Sequence, residues 1–364
     1  MKRLSFFNST RAWGGGEKWH LDTGKYLAAR GYTVRLWAHR EGVLFTRASE
    51  AGLEVRPVRM GNLSFLNPWK VGRLMRAFRN EKPDVLVLNL SRDLKLAGLA
   101  ARWAGIPRII YRRGSDIPVR NTWLNRLLFK NIPTDVLVNS KATASSLLRQ
   151  NPDLFPENRI RIIYNGIVTA GTPECDKPLQ RERSPLVLKT LGRLEVQKNH
   201  GFLLEVAAEL EKRGLDFILR IGGEGSLRQS LEAKRAALGL QERVFLDGFI
   251  DDPIAYIGSA DIFLLGSLWE GFGYVLAEAG LCAKPVVALA VSSNPEVVRN
   301  GVTGFLTPPG DIGAFAGAVE VLMRDPELRR NMGAAGRERV IRDFDQDRNL
   351  KAIENYLIGE TNRT

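Results

Sequence analysis

The sequence LGSLWEGFGYVLAEA, residues 265–279, sets two glutamates in an otherwise apolar segment that contains three glycines. Glu270 is followed by a glycine in a predicted loop, and Glu278 lies eight residues later within a helical run of Val, Leu and Ala. Glutamate is seldom buried without a partner, so the apolar setting of Glu278 indicates a specific task. Two carboxylates, one at the start of a helix and one inside it, predict hydrogen bonds to vicinal hydroxyl groups. The alternative is a buried structural salt bridge.

A second loop of the same half, LGRLEVQKN at residues 191–199, follows a predicted strand at Leu186–Leu191. Arg193 and Lys198 are five residues apart in this loop, so their side chains are able to converge on one point. The planar fork of an arginine and the point charge of a lysine together are typical of a diphosphate clamp. A solvated basic loop is the alternative reading of this segment.

Two glycine-rich turns follow predicted strands. The run Gly14-Gly15-Gly16 opens the first long helix, where close backbone approach and exposed N–H groups favour a phosphate. The run Gly222-Gly223-Glu224-Gly225 partly matches a dinucleotide fingerprint, with Asp247 at a later strand end, but its third glycine is missing. An NAD-dependent oxidoreductase is therefore a rival interpretation.

Predicted strands and helices alternate twice along the chain, which indicates two parallel sheets covered by helices. Between the two series lies VTAGTPECDKPLQRERS, residues 168–184, whose proline, glycine and charge predict an interdomain linker. Ser226 with Gln229 predicts a capping box at the start of a helix in the second series. Two such halves imply a cleft, with ligands at the carboxyl ends of the strands.

Composition is that of a globular protein, and its charge is uneven. The 364 residues include 53 Lys+Arg against 40 Asp+Glu, a net charge of +13, and 44% are hydrophobic. Residues 1–170 carry +17 and residues 171–364 carry −4, which points to nucleic acid, an anionic membrane surface or an acidic small molecule as a partner of the first half. Two cysteines exclude a disulfide framework, and three histidines leave little for a metal site. The sequence contains no apolar run of ~18–20 residues and no signal-peptide core. It also contains no helix-turn-helix, zinc or RNA-recognition signature, so no nucleic-acid partner is expected.

The E-x7-E frame of Glu270 and Glu278 resembles that of the retaining glycosyltransferases of family 4. Further motifs agree with the family in their order along the chain: Asn165-Gly166, Gly192-Arg193 with Lys198-Asn199, Ala260–Leu265, and NGVTGF at 300–305 followed by PPGD at 308–311. The resemblance implies an α/β GT-B fold, with two Rossmann-like α/β/α domains, an interdomain cleft and a C-terminal crossover helix. It implies an acceptor-binding domain at 1–168, a linker at 169–184, a nucleotide-sugar domain at 185–345 and a helix at 346–364 that packs back on the first domain.

The resemblance also implies roles for individual residues. Arg193 and Lys198 would neutralise the donor diphosphate, Glu270 would contact hydroxyls of the donor sugar, and Glu278 would hold the nucleotide ribose. The remaining donor contacts would come from Gly15 and Gly16 over the phosphates, the N–H groups of Gly271, Phe272 and Gly273, and Leu246 in the strand that passes the base. The donor would be a nucleotide-diphosphate sugar, with UDP favoured, and neither a metal nor another cofactor is expected.

Two segments depart from the family pattern. In YRRGSD, residues 111–116, Arg113 stands where the family often has a histidine. This exchange favours an anionic acceptor, and Arg112, Arg113 and Asp116 are the predicted acceptor-binding residues. Ser292-Ser293 stands where the family usually has two glycines, so donor contacts there are expected to differ.

The basic first half predicts an acceptor at a membrane. Cations and aromatic residues alternate in Pro68–Arg79 and again between residues 103 and 130, a mixture that suits anionic lipid headgroups. An ordinary surface helix is the alternative for Pro68–Arg79. We expect a lipid-linked or phosphorylated glycan acceptor, such as lipopolysaccharide core, reached by a peripheral protein on the cytoplasmic face of the membrane. A sugar-nucleotide epimerase of the same fold is the nearest alternative enzyme.

Overall fold

The computed structural model describes residues 2–170 and 185–359. It divides into two compact units: unit 1 comprises Met1–Asn165 and Asp347–Thr364, and unit 2 comprises Gly166–Gln346. The predicted linker at 169–184 lies almost wholly outside the described residues.

Unit 1 is built on a seven-stranded parallel sheet in the order β3-β2-β1-β4-β5-β6-β7. Strands such as β4 and β6 are buried along their whole length, as expected when helices cover both faces of a parallel sheet. The strands are β1 Arg3–Asn8, β2 Thr33–His39, β3 Glu54–Val58, β4 Val85–Leu88, β5 Arg108–Arg113, β6 Asp135–Val138 and β7 Ile160–Ile162. The helices are α1 Gly15–Ala29, α2 Val43–Glu50, α3 Pro68–Glu81, α4 Ser91–Asp93, α5 Leu99–Ala104, α6 Trp123–Asn131 and α7 Lys141–Leu148, with a π-helical turn at Leu94–Gly98.

Strand β3 does not follow from the hydrophobic pattern of its sequence, EVRPV. A proline cannot donate to the sheet ladder, and it is tolerated here because β3 is the outer strand of the sheet. Residues 54–58 therefore form a strand because they pair with β2, in which Leu36 lies opposite Val55.

Unit 2 repeats the architecture with six parallel strands in the order β10-β9-β8-β11-β12-β13. Leu203, Phe217 and Phe315 are fully buried between the sheet and its helices. The strands are β8 Leu186–Leu191, β9 Phe217–Gly222, β10 Val244–Gly248, β11 Ile262–Leu265, β12 Val286–Leu289 and β13 Gly304–Thr307. The helices are α8 His200–Lys212, α9 Arg228–Ala237, α10 Pro253–Gly258, α11 Tyr274–Leu281, α12 Asn294–Val297, α13 Ile312–Arg324 and α14 Pro326–Asp343.

The last helix, α15 Gln346–Ile358, belongs to unit 1 over nearly its whole length. Ile353 and Leu357 lie in the same buried cluster as Leu4 of β1. Arg108 closes the end of the helix, since its Nη1 donates to the carbonyl oxygens of Tyr356 at 2.5 Å and Leu357 at 3.2 Å. A cation at this position also interacts favourably with the helix dipole.

Candidate functional site

Two loops of unit 2 lie side by side because they follow neighbouring parallel strands. One loop, residues 192–199, follows β8, and the other, residues 266–273, follows β11. Gln197 Nε2 donates to the carbonyl oxygen of Trp269 at 2.8 Å, and the Leu268 N–H donates to the carbonyl oxygen of Gln197 at 2.9 Å. The sheet thereby joins two motifs that are about 70 residues apart in the sequence.

Lys198 and Glu270 form an ion pair at this junction. The Lys198 Nζ lies 2.5 Å from Glu270 Oε1, and the two side chains are only 14% and 8% exposed. The main chain of Glu270 is also fixed, because Ser293 Oγ donates to its carbonyl oxygen at 3.3 Å. Two of the three predicted catalytic residues are therefore in direct contact.

Gly192 makes room for the lysine. A Cβ at position 192 would lie 3.0 Å from both Cδ and Cε of Lys198, so a side chain there would push the lysine stem away. The third predicted catalytic residue, Arg193, is exposed, and its guanidinium makes no hydrogen bond or ion pair within residues 2–170 and 185–359. The loop thus presents one cation already paired to a carboxylate and one available to an anion.

The glycines of Gly222–Gly225 are required by packing. A Cβ at Gly223 would lie 2.0 Å from the Gly192 carbonyl oxygen, and one at Gly225 would lie 2.5 Å from that of Leu194. Asp247, the predicted ribose-binding acid of the rival interpretation, pairs with Arg220 at 2.6 Å and accepts from Tyr256 Oη at 2.8 Å. These contacts account for the partial fingerprint without a dinucleotide.

The predicted capping box at Ser226 is wrong. Helix α9 begins two residues later, at Arg228, and no side chain caps it. The Ser226 N–H and Oγ instead donate to Glu195 at 3.2 and 3.0 Å. These hydrogen bonds hold the pKa of Glu195 below its usual value and join the turn after β9 to the loop after β8.

The glycine-rich turn before α11 contains several of the residues predicted to contact the donor. Gly273 caps the helix in the left-handed conformation, with φ of +79°, and Phe272 is buried against the rings of Tyr274 and Phe344. Glu278 is partly buried on α11, and both of its neighbours, Ala277 and Ala279, are fully buried. Glu278 therefore lies at a partly exposed position of a helix whose adjacent residues are buried.

Leu246 is not brought beside these residues by the sheet order. Its strand, β10, is the outer strand and is separated from β11 by β9 and β8. The side chain packs partly buried against the hydrophobic core of unit 2.

The departure at Ser292 has a conformational consequence. Ser292 has φ of +48°, in the left-handed region that glycine adopts without strain. A non-glycine residue in this region costs about 1–2 kcal/mol. Ser292 therefore adopts a backbone conformation that glycine would adopt without strain.

In unit 1, Gly16 lies against a buried arginine. A Cβ at Gly16 would lie 3.2 Å from Asn89 Nδ2 and 3.5 Å from Arg112 Nη1. Arg112 is 3% exposed, donates to Asn89 at 3.2 Å and to Asn165 at 3.3 Å, and stacks 4.7 Å from the ring of Trp19. The glycine-rich turn and one predicted acceptor residue are therefore in one cluster.

His20 belongs to the same cluster and was not singled out from the sequence. Its ring is fully buried, and Nδ1 lies 2.8 Å from the Gly16 carbonyl oxygen. Burial, followed by the charge of Arg112, lowers the pKa of His20 to about 3, so the ring is neutral. A lone histidine in a helix gives no signal of this contact in the sequence.

The other two predicted acceptor residues lie further along β5 and beyond it. Arg113 is the last residue of β5, next to the buried Tyr111, whose pKa burial raises. Asp116 is buried and accepts from Arg149 Nη2 at 3.2 Å. The structure gives Asp116 a structural partner, and its predicted role toward an acceptor stays a prediction.

A buried acid on α4, the short helix that follows β4, also escaped sequence reasoning. Asp93 is fully buried, and it accepts from Ser9 Oγ at 2.5 Å and from the Leu90 N–H at 2.9 Å. Burial raises its pKa to about 7, and the hydrogen bonds act in the opposite direction. The only sequence signal was a polar residue soon after a buried strand.

Two Rossmann-like units, with paired charges at the carboxyl ends of parallel strands, define a GT-B type of protein. The family model "Glycosyl transferases group 1" matches residues 173–339, and the model "Glycosyltransferase Family 4" matches residues 13–170. Between them the two models match most of the sequence, and the chain belongs to the group 1 glycosyltransferases. The predicted family, fold class and glycosyltransferase activity are confirmed.

Relatives and solved structures agree with this assignment. The chain is 28% identical to the lipopolysaccharide core biosynthesis glycosyltransferase LpsE of Rhizobium meliloti, over 92% of this chain and 93% of that protein. It is 25% identical to the Escherichia coli UDP-Gal:alpha-D-GlcNAc-diphosphoundecaprenol alpha-1,3-galactosyltransferase, over 83% and 82%. The fold matches Anabaena HepE, solved in complex with UDP, with a TM-score of 0.84 and 21% identity over 98% of this chain and 99% of that one.

Proposed function

We propose that this glycosyltransferase moves a sugar, with retention of anomeric configuration, from a nucleotide-diphosphate sugar to a lipid-linked or phosphorylated cell-envelope glycan. The observation that carries the proposal is the buried Lys198–Glu270 pair beside the exposed Arg193. A UDP-sugar is the favoured donor because Anabaena HepE was solved with UDP and the E. coli relative is named for UDP-Gal. Lipopolysaccharide core is the favoured acceptor class because LpsE is named for its synthesis.

The reaction breaks the bond between the anomeric carbon and the diphosphate oxygen, and the electron pair of that bond stays on the diphosphate. An acceptor hydroxyl forms the new bond on the same face, and its proton passes to a leaving diphosphate oxygen. Arg193 and Lys198 stabilise the negative charge that grows on the diphosphate, which lowers the barrier more than it strengthens ground-state binding. These two cations supply the role that a divalent metal would otherwise have, so we propose turnover without added metal, tested by activity in excess EDTA.

The ion pair with Lys198 gives Glu270 a role in orienting the hydroxyl groups of the donor sugar. The ammonium group of Lys198 holds Oε1 of Glu270. This contact also sets the orientation of the second carboxylate oxygen, Oε2. A fixed acceptor of hydrogen bonds suits the hydroxyls of one sugar epimer over another. Glu278, on the first turns of α11, is proposed to hold the ribose hydroxyls of the nucleotide.

The membrane part of the proposal rests on an exposed apolar ridge, Leu63, Leu66 and Trp69, before and at the start of α3. Their exposed fractions are 70%, 66% and 79%. Lys70, Arg73 and Arg76 follow on α3, whereas Phe78, part of the predicted basic-aromatic surface, is buried in the core. No helix in the described part of the chain is long and apolar enough to cross a bilayer. We propose peripheral binding of the ridge to anionic lipid on the cytoplasmic face.

Vesicle flotation tests the ridge. We expect L66S/W69S to lose binding to phosphatidylglycerol-containing vesicles by about tenfold or more, because each apolar side chain contributes about 1.5–3 kcal/mol on burial. The matched control is Phe249→Ser in unit 2, a residue that is 70% exposed. Equal loss in the two variants would reject the ridge as the docking surface.

Donor binding and turnover test the proposed reaction. A thermal-shift panel of UDP, GDP, ADP and CMP sugars identifies the nucleotide, because a bound donor raises the melting temperature. We then expect Lys198→Met to lower kcat/KM by about 10²–10³, with Lys212→Met at the exposed end of α8 as the control. An unchanged kcat/KM in Lys198→Met contradicts the assignment, and full turnover without an acceptor indicates an epimerase instead.

A further inference from the structure

An arginine follows each of four neighbouring strands at the carboxyl edge of the unit 1 sheet. The sheet order β3-β2-β1-β4 sets these residues in one row, about 15 Å long at the usual ~4.8 Å strand spacing. In spatial order the row is Arg59, Arg40, Arg11 and Arg92. Because the strands are far apart in the sequence, the row is visible only in the fold.

Contacts between the loops hold the row together. Glu41 lies 3.4 Å from both Arg11 and Arg59 and so bridges them. Arg92 is tied to the end of β1, since its Nε donates to Ser9 Oγ at 2.7 Å and its Nη2 to the Ser9 carbonyl oxygen at 2.8 Å. Gly42 permits the loop after β2 to approach the loop after β1 closely, because a Cβ at position 42 would lie 2.7 Å from the Thr10 carbonyl oxygen.

Positive charge exceeds negative charge along this edge. Arg11, Arg40 and Arg59 are exposed, and Arg40 makes no hydrogen bond or ion pair within the described residues. The nearby acids are Glu41, which two arginines share, and Asp93, whose oxygens are buried and accept from Ser9 and Leu90. The pKa of the buried His39 is lowered by burial and then by the charge of Arg11, with Arg59 and Arg92 acting in the same direction.

We propose that this arginine row binds a phosphoryl group, as a monoester or a diphosphate, carried by the acceptor. The inference rests on the proposed function and gives the acceptor a chemistry and a site. Arginine forks bind phosphate oxygens through paired hydrogen bonds. The ligand displaces Glu41 from Arg11 and Arg59, since that exposed carboxylate occupies the guanidinium groups a phosphate would use.

Calorimetric titration of pyrophosphate into the full chain at low salt tests the row. Saturating UDP is added to keep the probe off unit 2, and each titration is repeated without UDP. We expect R11Q/R59Q to weaken pyrophosphate binding by about tenfold or more. We expect Glu41→Gln to strengthen it by about threefold, because the competing carboxylate is removed. The control is R102Q/R161Q, two exposed arginines of unit 1 outside the row and outside α3, which changes the net charge equally and should alter affinity less than about twofold.

An equal loss in R11Q/R59Q and R102Q/R161Q, or no gain in Glu41→Gln, would overturn the site in favour of diffuse charge attraction. Vesicles of phosphatidylcholine with and without phosphatidic acid assign the source of the phosphate. If R11Q/R59Q weakens binding to vesicles that contain phosphatidic acid but not to vesicles of phosphatidylcholine alone, the phosphate belongs to a lipid headgroup. If R11Q/R59Q weakens binding of pyrophosphate but of neither type of vesicle, the phosphate belongs to a phosphorylated glycan. Absence of binding to every nucleotide sugar of the thermal-shift panel would count against the proposed function, while the pyrophosphate titration still reports on the row.

Discussion

At the scale of single residues, the Lys198–Glu270 pair joins stability to function. A charge left buried without its partner costs about 3–5 kcal/mol. We expect Lys198→Met and Glu270→Gln each to lower the free energy of unfolding. The double variant should be destabilised by at least about 1 kcal/mol less than the sum of the two. Urea unfolding of the three variants measures this coupling, and strictly additive effects would contradict a direct interaction in solution.

Gly223 gives a second prediction at this scale. Its Cβ would lie 2.0 Å from a backbone oxygen, and its φ is +134°. We expect Gly223→Ala to destabilise the chain by more than about 3 kcal/mol, because both overlap and backbone strain must be relieved. The matched control is Gly239→Ala, which also has positive φ, +72°, but open space around it, and should cost about 1 kcal/mol. Similar melting temperatures for the two variants would contradict the packing explanation of the glycine motif.

At the scale of elements, helix α1 makes the stability of unit 1 dependent on pH through His20. The pKa of His20 is about 3 in the folded chain against 6.5 for an ordinary histidine. As pH falls, His20 is therefore protonated in the unfolded chain before it is protonated in the folded chain. The contribution of neutral His20 to the free energy of unfolding is complete above pH 6.5 and is lost on acidification. Between pH 7 and pH 4.5 this loss amounts to about 3 kcal/mol.

The pH prediction is tested by comparing the wild type with His20→Gln. Asp93, with a pKa raised to about 7, contributes in the opposite sense, because its stabilisation is full at low pH and is lost as pH rises toward 7. The difference between the two proteins removes this common contribution. We expect urea unfolding to show a smaller loss of stability at pH 4.5 in His20→Gln. The same slope in both would show that His20 is not held neutral.

At the scale of the whole molecule, the chain returns from unit 2 to complete unit 1 with α15. Leu357 is fully buried in the unit 1 core, so Leu357→Ala should cost about 2–5 kcal/mol. Six of the seven tryptophans lie in unit 1, and only Trp269 lies in unit 2. Tryptophan fluorescence should therefore report an earlier unfolding transition in Leu357→Ala. The control is Leu322→Ala, equally buried but in unit 2. If Leu357→Ala and Leu322→Ala lowered the midpoint of the fluorescence transition equally, the assignment of α15 to unit 1 would be contradicted.

The sequence by itself determined the alternation of strands and helices, the family frame of Glu270 and Glu278, and the uneven distribution of charge. The alternation and the charge distribution are local or additive properties, so periodicity and counting reveal them, whereas the Glu270–Glu278 frame was identified by its resemblance to a known family. Sequence reasoning could not find strand β3, whose EVRPV pattern becomes a strand only by pairing at a sheet edge. Nor could it show that the glycines of Gly222–Gly225 make room for the backbone of a different loop.

Only the tertiary structure decided which distant residues meet. Lys198 and Glu270 are 72 positions apart, and their contact exists because β8 and β11 are neighbours in a sheet whose order differs from the order of the chain. The arginine row of unit 1 arises in the same way, from loops that parallel strands deliver to one edge. Sequence patterns report the periodicity within an element, whereas sheet order is set by long-range pairing and packing. The sequence therefore identified the class of enzyme, and the fold decided which charges act together.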